Sequence, residues 1–269
     1  MPALAPASLE GWYSLHQMFS INYAALRGLS PERRKGVIED VRLLAESLVS
    51  PDGDGWSAAF RLAGGGADVM LVHFRESVDA LAELQSRIRR SPVGDFLHLE
   101  FDYLAVTEAG LYHATAEVAR EHEPNTPAYR EALAAHAAAE LASPHVQTRL
   151  YPRPAAEMRY ISFYPMTKRR VAPDNWYVLD VAERNRLMRE HGLTGRRYAG
   201  RVFQVITGSV GLDDWEWGVT LFAADPIEFK RIVTEMRYDE ASAKYGEFGE
   251  FFTGIRVEGD RWEELFTIE

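Results

Sequence analysis

The sequence predicts an α+β fold built from two successive β-α-β-β-α-β units in one chain. Three observations predict it. Segments that alternate apolar and polar residues and segments with apolar residues at helical spacing follow one another in the same order twice. Short Gly-containing turns join neighbouring strands, which favours an antiparallel sheet over a parallel one. Between the two runs lies a stretch of different character, alanine-rich and flanked by prolines.

The first unit occupies residues 1–110. Residues 11–19 are rich in aromatics and read as a strand. Ser30 then caps a helix with Pro31 at its first position, and residues 33–48 carry apolar side chains at helical spacing. Residues 51–55 form a Pro/Asp/Gly turn cluster. Residues 56–62 and 68–74 read as paired strands across the glycines 64–66. An amphipathic helix over 77–88 and a strand over 96–107 complete the unit, which has the order of a ferredoxin-like split βαβ.

Residues 111–155 read as a linker: an alanine-rich helix over 126–142, then a Pro- and Arg-containing connector over 143–154. The second unit occupies residues 156–269. It opens with a strand over 158–166. A helix over 180–191 follows, with Asp180 as N-cap, Glu183 completing a capping box and Gly192 just past its end. Strands over 200–207 and 215–223 are joined by a Gly/Asp turn. Asp225 and Pro226 open a long helix running to about Lys244, with Ile232, Val233, Met236 and Tyr238 on its buried side. A strand over 251–257 ends the unit.

Composition narrows the chemistry. The chain has 269 residues, 46% of them hydrophobic and 26% charged, as a folded globular protein does. Its formal charge of -10, without a basic run, speaks against a nucleic-acid partner. The absence of cysteine excludes disulfides, thiolate metal sites, iron–sulfur clusters and a Cys nucleophile, and it fits a cytoplasmic address. The first residues lack a signal-peptide pattern, and no apolar run is long enough for a membrane span.

The 8 histidines show no HExxH and no paired ligand spacing. His191, at the end of a capped helix, is either a side chain projecting into a pocket beside the sheet or a helix-terminal imidazole favoured by the macrodipole. A period of two places Tyr160, Ser162, Tyr164 and Met166 on one face of their strand, with Ile161 and Phe163 on the other. Gln204 falls in an apolar row with Val202 and Ile206; its amide either satisfies a buried backbone group or points into a ligand cavity. Lys168, Arg169 and Arg170 form a solvated rim or a carboxylate-binding group. Arg237 sits in a largely apolar helix, paired with Glu235 or Asp239 or reaching an anion beside Ser242. Arg149 and Arg153 in the linker offer the same choice. The glycines 64–66 do not form a phosphate loop.

Several of these runs together are distinctive. They are 164–169 (Tyr-Pro-Met-Thr-Lys-Arg), Asn175-Trp176-Tyr177, 187–192 ending in His191-Gly192, Gly195-Arg196, Tyr198-Ala199-Gly200, Gln204 with 206–209, 213–217, Met236-Arg237, Ser242 and Tyr245-Gly246. In this order and spacing the chain resembles the chlorite dismutase superfamily, and within it the Firmicutes-type branch of coproheme decarboxylases. The likeness is strong over 158–256 and limited to topology in the first half.

The resemblance implies a dimeric α+β barrel of two ferredoxin-like halves, assembled as a homopentamer, with an iron porphyrin in the second half. It implies His191 as the proximal iron ligand, held weakly enough to release product, and Gln204 on the distal side. Chlorite-degrading members carry Arg at that distal position, so Gln204 argues against chlorite. The implied reaction is peroxide-driven conversion of two propionates of Fe-coproporphyrin III (coproheme) to vinyls, giving haem b and CO2. Tyr164 matches a radical-forming phenol, and Lys168 the cation serving the second propionate. Arg149 (with Arg153 as competitor), Arg237 and Ser242 match propionate donors, and Pro165, Met166 and Thr167 complete the porphyrin-binding run. The implied partners are coproheme, hydrogen peroxide and, transiently, ferrochelatase, without nucleic acid or membrane. The alternatives are a non-catalytic haem carrier or sensor, or a chlorite- or peroxide-consuming haem enzyme.

Overall fold

The computed structural model describes residues 3–49, 53–64 and 66–268. The first unit runs β1 (Ser8–Ile21), a short helix α1 (Tyr23–Arg27), α2 (Pro31–Val49), β2 (Gly55–Leu62), β3 (Val69–Arg75), α3 (Val78–Arg90) and β4 (Leu97–Gly110). Three helices follow: α4 (Tyr112–Glu121), α5 (Pro127–Leu141) and α6 (Pro144–Leu150). The second unit runs β5 (Tyr160–Lys168), α7 (Val181–Arg196), β6 (Val202–Gly208), β7 (Trp217–Ala223), α8 (Ile227–Arg237), α9 (Glu240–Ala243), β8 (Gly246–Phe248) and β9 (Phe252–Val257). The doubled β-α-β-β-α-β order expected from the sequence is therefore present, with every strand pairing between these elements antiparallel.

The strands form a sheet of order β7-β6-β4-β1-β3-β2-β9-β5-β8, and β7 also pairs with β5. That extra pairing closes β7-β6-β4-β1-β3-β2-β9-β5 into a barrel, with β8 attached to β5. β9 and β8 share one edge of β5, pairing with its first and last residues, while β7 takes the other edge. The interior is filled rather than hollow. Met18, Phe60, Phe74, Tyr103, Phe163 and Phe222 are fully buried there. Burying each such apolar side chain contributes roughly 1.5–3 kcal/mol.

Helices cover the outside of the barrel on two sides. α2 and α3 pack Val41, Ala45, Leu48, Leu84 and Ile88 against the first unit's strands. On the other side, Phe229 and Ile232 of α8 meet Val202, Val219 and Leu221 on the outer faces of β6 and β7. The alternation read along β5 places Phe163 inside the barrel and Tyr164 outside, under the second unit's helices.

Four expectations change. α7 does not stop before Gly192 but continues to Arg196. A glycine inside a helix costs only about 1 kcal/mol, and here Thr194 and Gly195 beyond it are buried. The helix expected to reach Lys244 breaks after Arg237, because Asp239 adopts an extended conformation and caps a separate α9. Tyr238, at that break, is 87% exposed rather than buried. The linker carries α4 and α6 besides its alanine-rich helix, and the connector over 143–154 is partly α6. Of the two Gly turns, Pro51, Asp52 and Gly65 lie outside the described residues; Gly64 turns the chain in the left-handed region, at φ +85°.

Candidate active site

A cavity of about 950 Å³ lies between the outer face of the barrel and the second unit's helices. That is near the upper end of ligand cavities, which run roughly 300–1,000 Å³. One wall is the strand face with Tyr164, Met166, Gln204, Ile206, Trp217 and Val219. The opposite wall is α7 and α8, with Met188, His191, Gly195, Val233 and Met236. Gly195 allows α7 to come close: a Cβ there would stand 3.2 Å from Met236 Cε and 3.4 Å from the Gln204 amide nitrogen.

His191 is placed by the break between α8 and α9. Its Nδ1 lies 2.9 Å from Asp239 Oδ2, while Asp239 Oδ1 accepts the Ser242 backbone N–H at 2.9 Å. One carboxylate thus caps a helix and orients an imidazole. Burial pushes the Asp239 carboxyl up, but the hydrogen bond and charge of His191 and the Ser242 donors outweigh it and hold it below its ordinary value. With Nδ1–H donating to that carboxylate, Nε2 keeps its lone pair and is the ring's free ligating atom. A carboxylate partner of this kind raises the basicity of the imidazole, which bears on the expectation of a weakly held ligand.

Tyr164 is only 4% exposed. Its ring stacks on Phe251 with centroids 4.3 Å apart and leans on Phe248 at 6.0 Å. Burial pushes the phenol pKa up, against the opposing charge of Arg237, so the group is a neutral O–H near neutrality. The Arg237 guanidinium lies 3.6 Å from the centroid of the Phe248 ring.

Lys168 is buried, unlike the rim residues Arg169 and Arg170 that follow it. Its Nζ donates to the Ala241 carbonyl at 2.8 Å and lies 4.6 Å from the centroid of the Trp176 ring. Burial pushes its pKa down to about 8, against the pull of Asp239 and Glu216. Gln204 meets both readings of its amide: it lines the cavity, and its Nε2 donates to the Gly195 carbonyl at 3.2 Å. Ser242 lines the cavity beside Asp239, which its hydroxyl approaches at 3.4 Å.

Arg149, in the last turn of α6, lines the far end of the same cavity. Arg153 does not. It donates to the Gly55 carbonyl and stacks over Trp12 on the first unit. Pro165 and Thr167 do not line the cavity either. Strand alternation turns them away from the cavity wall, Pro165 toward Gly249 and Thr167 onto Glu216, which also accepts the Lys168 N–H and pairs with Arg170.

The sequence reading weighed Asp239 only as a partner of Arg237 and gave no site role to Glu108, Arg189 or Arg196. The last three line the cavity; Arg189 and Arg196 lie inside the distinctive runs, whereas Glu108 lies in none. Asp239 did leave a signal, an Asp three residues before Ser242 in a capping pattern, hidden by the expectation of one continuous helix. Among the described residues, no three His, Cys, Asp or Glu side chains group as a metal-holding set. A metal at His191 therefore needs its other ligands from the molecule that carries it. A largely apolar chamber lined by His113, His145 and His191 and by several cations, with His191 alone held by a carboxylate partner, fits an anionic metallo-macrocycle. No helix among the described residues is long and apolar enough to cross a membrane.

Comparison with known proteins gives consistent likenesses. The family model described as chlorite dismutase matches residues 34–257. A coproheme decarboxylase of Staphylococcus saprophyticus is 38% identical over 268 residues, covering 98% of this chain and 99% of that protein. A solved structure of a heme-binding protein from Thermus thermophilus superposes with a TM-score of 0.83 at 36% identity, over 99% of this chain and 98% of the other. A variant chlorite dismutase from Candidatus Nitrospira defluvii shares the fold at 21% identity, with a TM-score of 0.71 over 96% of each chain.

Proposed function

Since the chain belongs to the chlorite dismutase family, we propose that it is a coproheme decarboxylase that uses hydrogen peroxide to convert two propionates of Fe-coproporphyrin III to vinyls, forming haem b. The observation that carries this reading is that His191, oriented by Asp239, and the buried phenol of Tyr164 face one chamber of about 950 Å³. The near full-length likeness to a coproheme decarboxylase supports it.

His191 holds the iron through Nε2, with Nδ1 fixed on Asp239. Bound there, the iron porphyrin and peroxide supply the oxidant. Tyr164 gives up an electron and its proton together and takes a hydrogen atom from the β-carbon of a propionate. Its seat against Phe248 and Phe251 keeps the phenol protonated and dry until then. Loss of CO2 and a second electron leaves the vinyl. The balance per propionate is one peroxide and one proton consumed, with one CO2 and two waters formed.

Arg237, Ser242 and Arg149 bind peripheral carboxylates, and Lys168 serves the second reacting propionate. Pro165 and Thr167 support the strand rather than touch the ligand. Gln204 places a neutral amide on the distal side, which stabilises a developing oxyanion less than a cation does and disfavours chlorite as substrate. In this reading residues 156–269 hold the porphyrin, 111–155 close one end of the chamber and 1–110 complete the barrel. The same family likeness supports a homopentamer in the cytoplasm that receives coproheme through transient contact with ferrochelatase.

The test is anaerobic loading with iron coproporphyrin III, peroxide addition and mass analysis of the porphyrin. Loss of two carboxyl groups with formation of two vinyls is expected. Porphyrin bound but returned with all four propionates would make the protein a carrier or sensor.

A further inference from the structure

Glu108 lies in the wall of the same cavity, and none of the steps above uses it. It is the next residue after Thr107, whose hydroxyl donates to the Leu150 carbonyl at 2.7 Å and pins the end of α6 against β4. That contact sets Arg149 in the same end of the chamber as Glu108. Two further features show that the carboxyl has a built seat. Trp217 Nε1 donates to it at 2.9 Å. It also lies over Gly208, where a Cβ would stand 2.3 Å from a carboxyl oxygen. Glu108 and Arg149 are each half-buried, and each senses the other's charge across the chamber. Glu10 from β1, Tyr103 on β4 and Tyr112 from α4 also face Glu108 and bring no cation, while His113 of α4 and His145 of α6 line the same cavity.

The proposed substrate carries four carboxylates into this chamber. A carboxylate that takes Arg149 also comes to lie beside Glu108. Two carboxylates confined in one low-dielectric site do not both stay ionised. We propose that Glu108 is the exchangeable counter-charge of Arg149: it balances Arg149 in the ligand-free protein and takes up a proton from solvent when a coproheme carboxylate replaces it. Departure of the product reverses the exchange, so the half-buried guanidinium is never left without an anion. This inference rests on the coproheme reading. In the ligand-free protein burial pushes the Glu108 carboxyl up, helped by Glu10, while Trp217 and Arg149 oppose it. The group is therefore already poised toward protonation.

The experiment compares wild type with Glu108→Gln, which keeps an oxygen acceptor for Trp217. Ferric coproporphyrin III binding is followed by Soret absorbance at several pH values on the acid side of neutrality, below the range where Lys168 titrates. Proton uptake is read in parallel with an indicator dye in weak buffer. Because the bound state holds the extra proton, wild-type affinity should fall as pH rises, by up to about tenfold per pH unit at full uptake of one proton. Glu108→Gln should bind more tightly near neutrality, with a flatter pH dependence and one proton fewer taken up. Contributions from every other group of the chamber and of the porphyrin are common to both proteins and cancel. Equal slopes and equal uptake in the two proteins overturn the proposal, and so does wild-type binding without any uptake, even if the variant fails to fold. Absence of coproheme binding in wild type overturns the functional reading itself, and this proposal with it.

Discussion

Lys168 ties the proposed chemistry to pH. Burial brings its pKa down to about 8, from an ordinary 10.5. Between those values the unfolded chain binds more protons than the folded one, so stability rises with pH across that window and is flat below it. Function runs the other way, because a neutral amine no longer attracts a carboxylate. Decarboxylation of the second propionate should fall as pH rises through about 8. Lys168→Arg, which stays charged, should remove that alkaline limb. A pH–rate profile of the second CO2 release checks this, and an identical limb in both proteins would assign it to another group. Most single residues of the site were legible from short runs: His191, Tyr164, Gln204, Lys168, Arg237 and Ser242 all line one cavity. Pro165 and Thr167 belonged to the same run but not to the same face, and the period of two already separated them. Glu108 was not legible, because a lone carboxylate in a strand carries no pattern until the fold sets Arg149 and Trp217 beside it.

At the scale of elements, the break between α8 and α9 matters most. A continuous helix through residues 238–239 would carry Asp239 past His191. Instead Asp239 leaves the helical conformation, caps α9 and accepts from the imidazole. Asp239→Asn keeps a good cap but replaces the carboxylate by a neutral acceptor. The variant should fold normally and bind coproheme with a lower iron–imidazole stretching frequency in resonance Raman spectra. An unchanged frequency would mean that Asp239 does not polarise His191 in the loaded protein. Asp239→Ala loses the cap as well and should cost about 1 kcal/mol in denaturant melts. The strands and the longer helices were readable because period and capping residues agree. The break was not, since Tyr238 continues the apolar spacing of α8 yet lies in solvent.

The whole molecule is one closed barrel shared by both units. β4 pairs with β6 and β2 with β9, so strands of both units complete the barrel that the β5–β7 pairing within the second unit closes. Phe163 shows what this means energetically. It is fully buried in the barrel, beside Tyr103 of the first unit and stacked on His16 at 4.3 Å. Phe163→Ala should destabilise the protein by about 3–5 kcal/mol, and the two units should still unfold in one transition. Coincident denaturation curves by far-UV circular dichroism and tryptophan fluorescence check this; two separated transitions would show independent halves. Such closure was not readable from local pattern, which gives the order of strands but not which distant edges meet.

The placement of the phenol at 164 against the ligand held at 191 is tested most directly by electron paramagnetic resonance. Coproheme-loaded protein is frozen immediately after peroxide addition. A tyrosine radical signal that narrows with ring-deuterated tyrosine and disappears in Tyr164→Phe, together with near-complete loss of CO2 release in that variant, is the predicted result. The same radical and the same CO2 yield in Tyr164→Phe would contradict it.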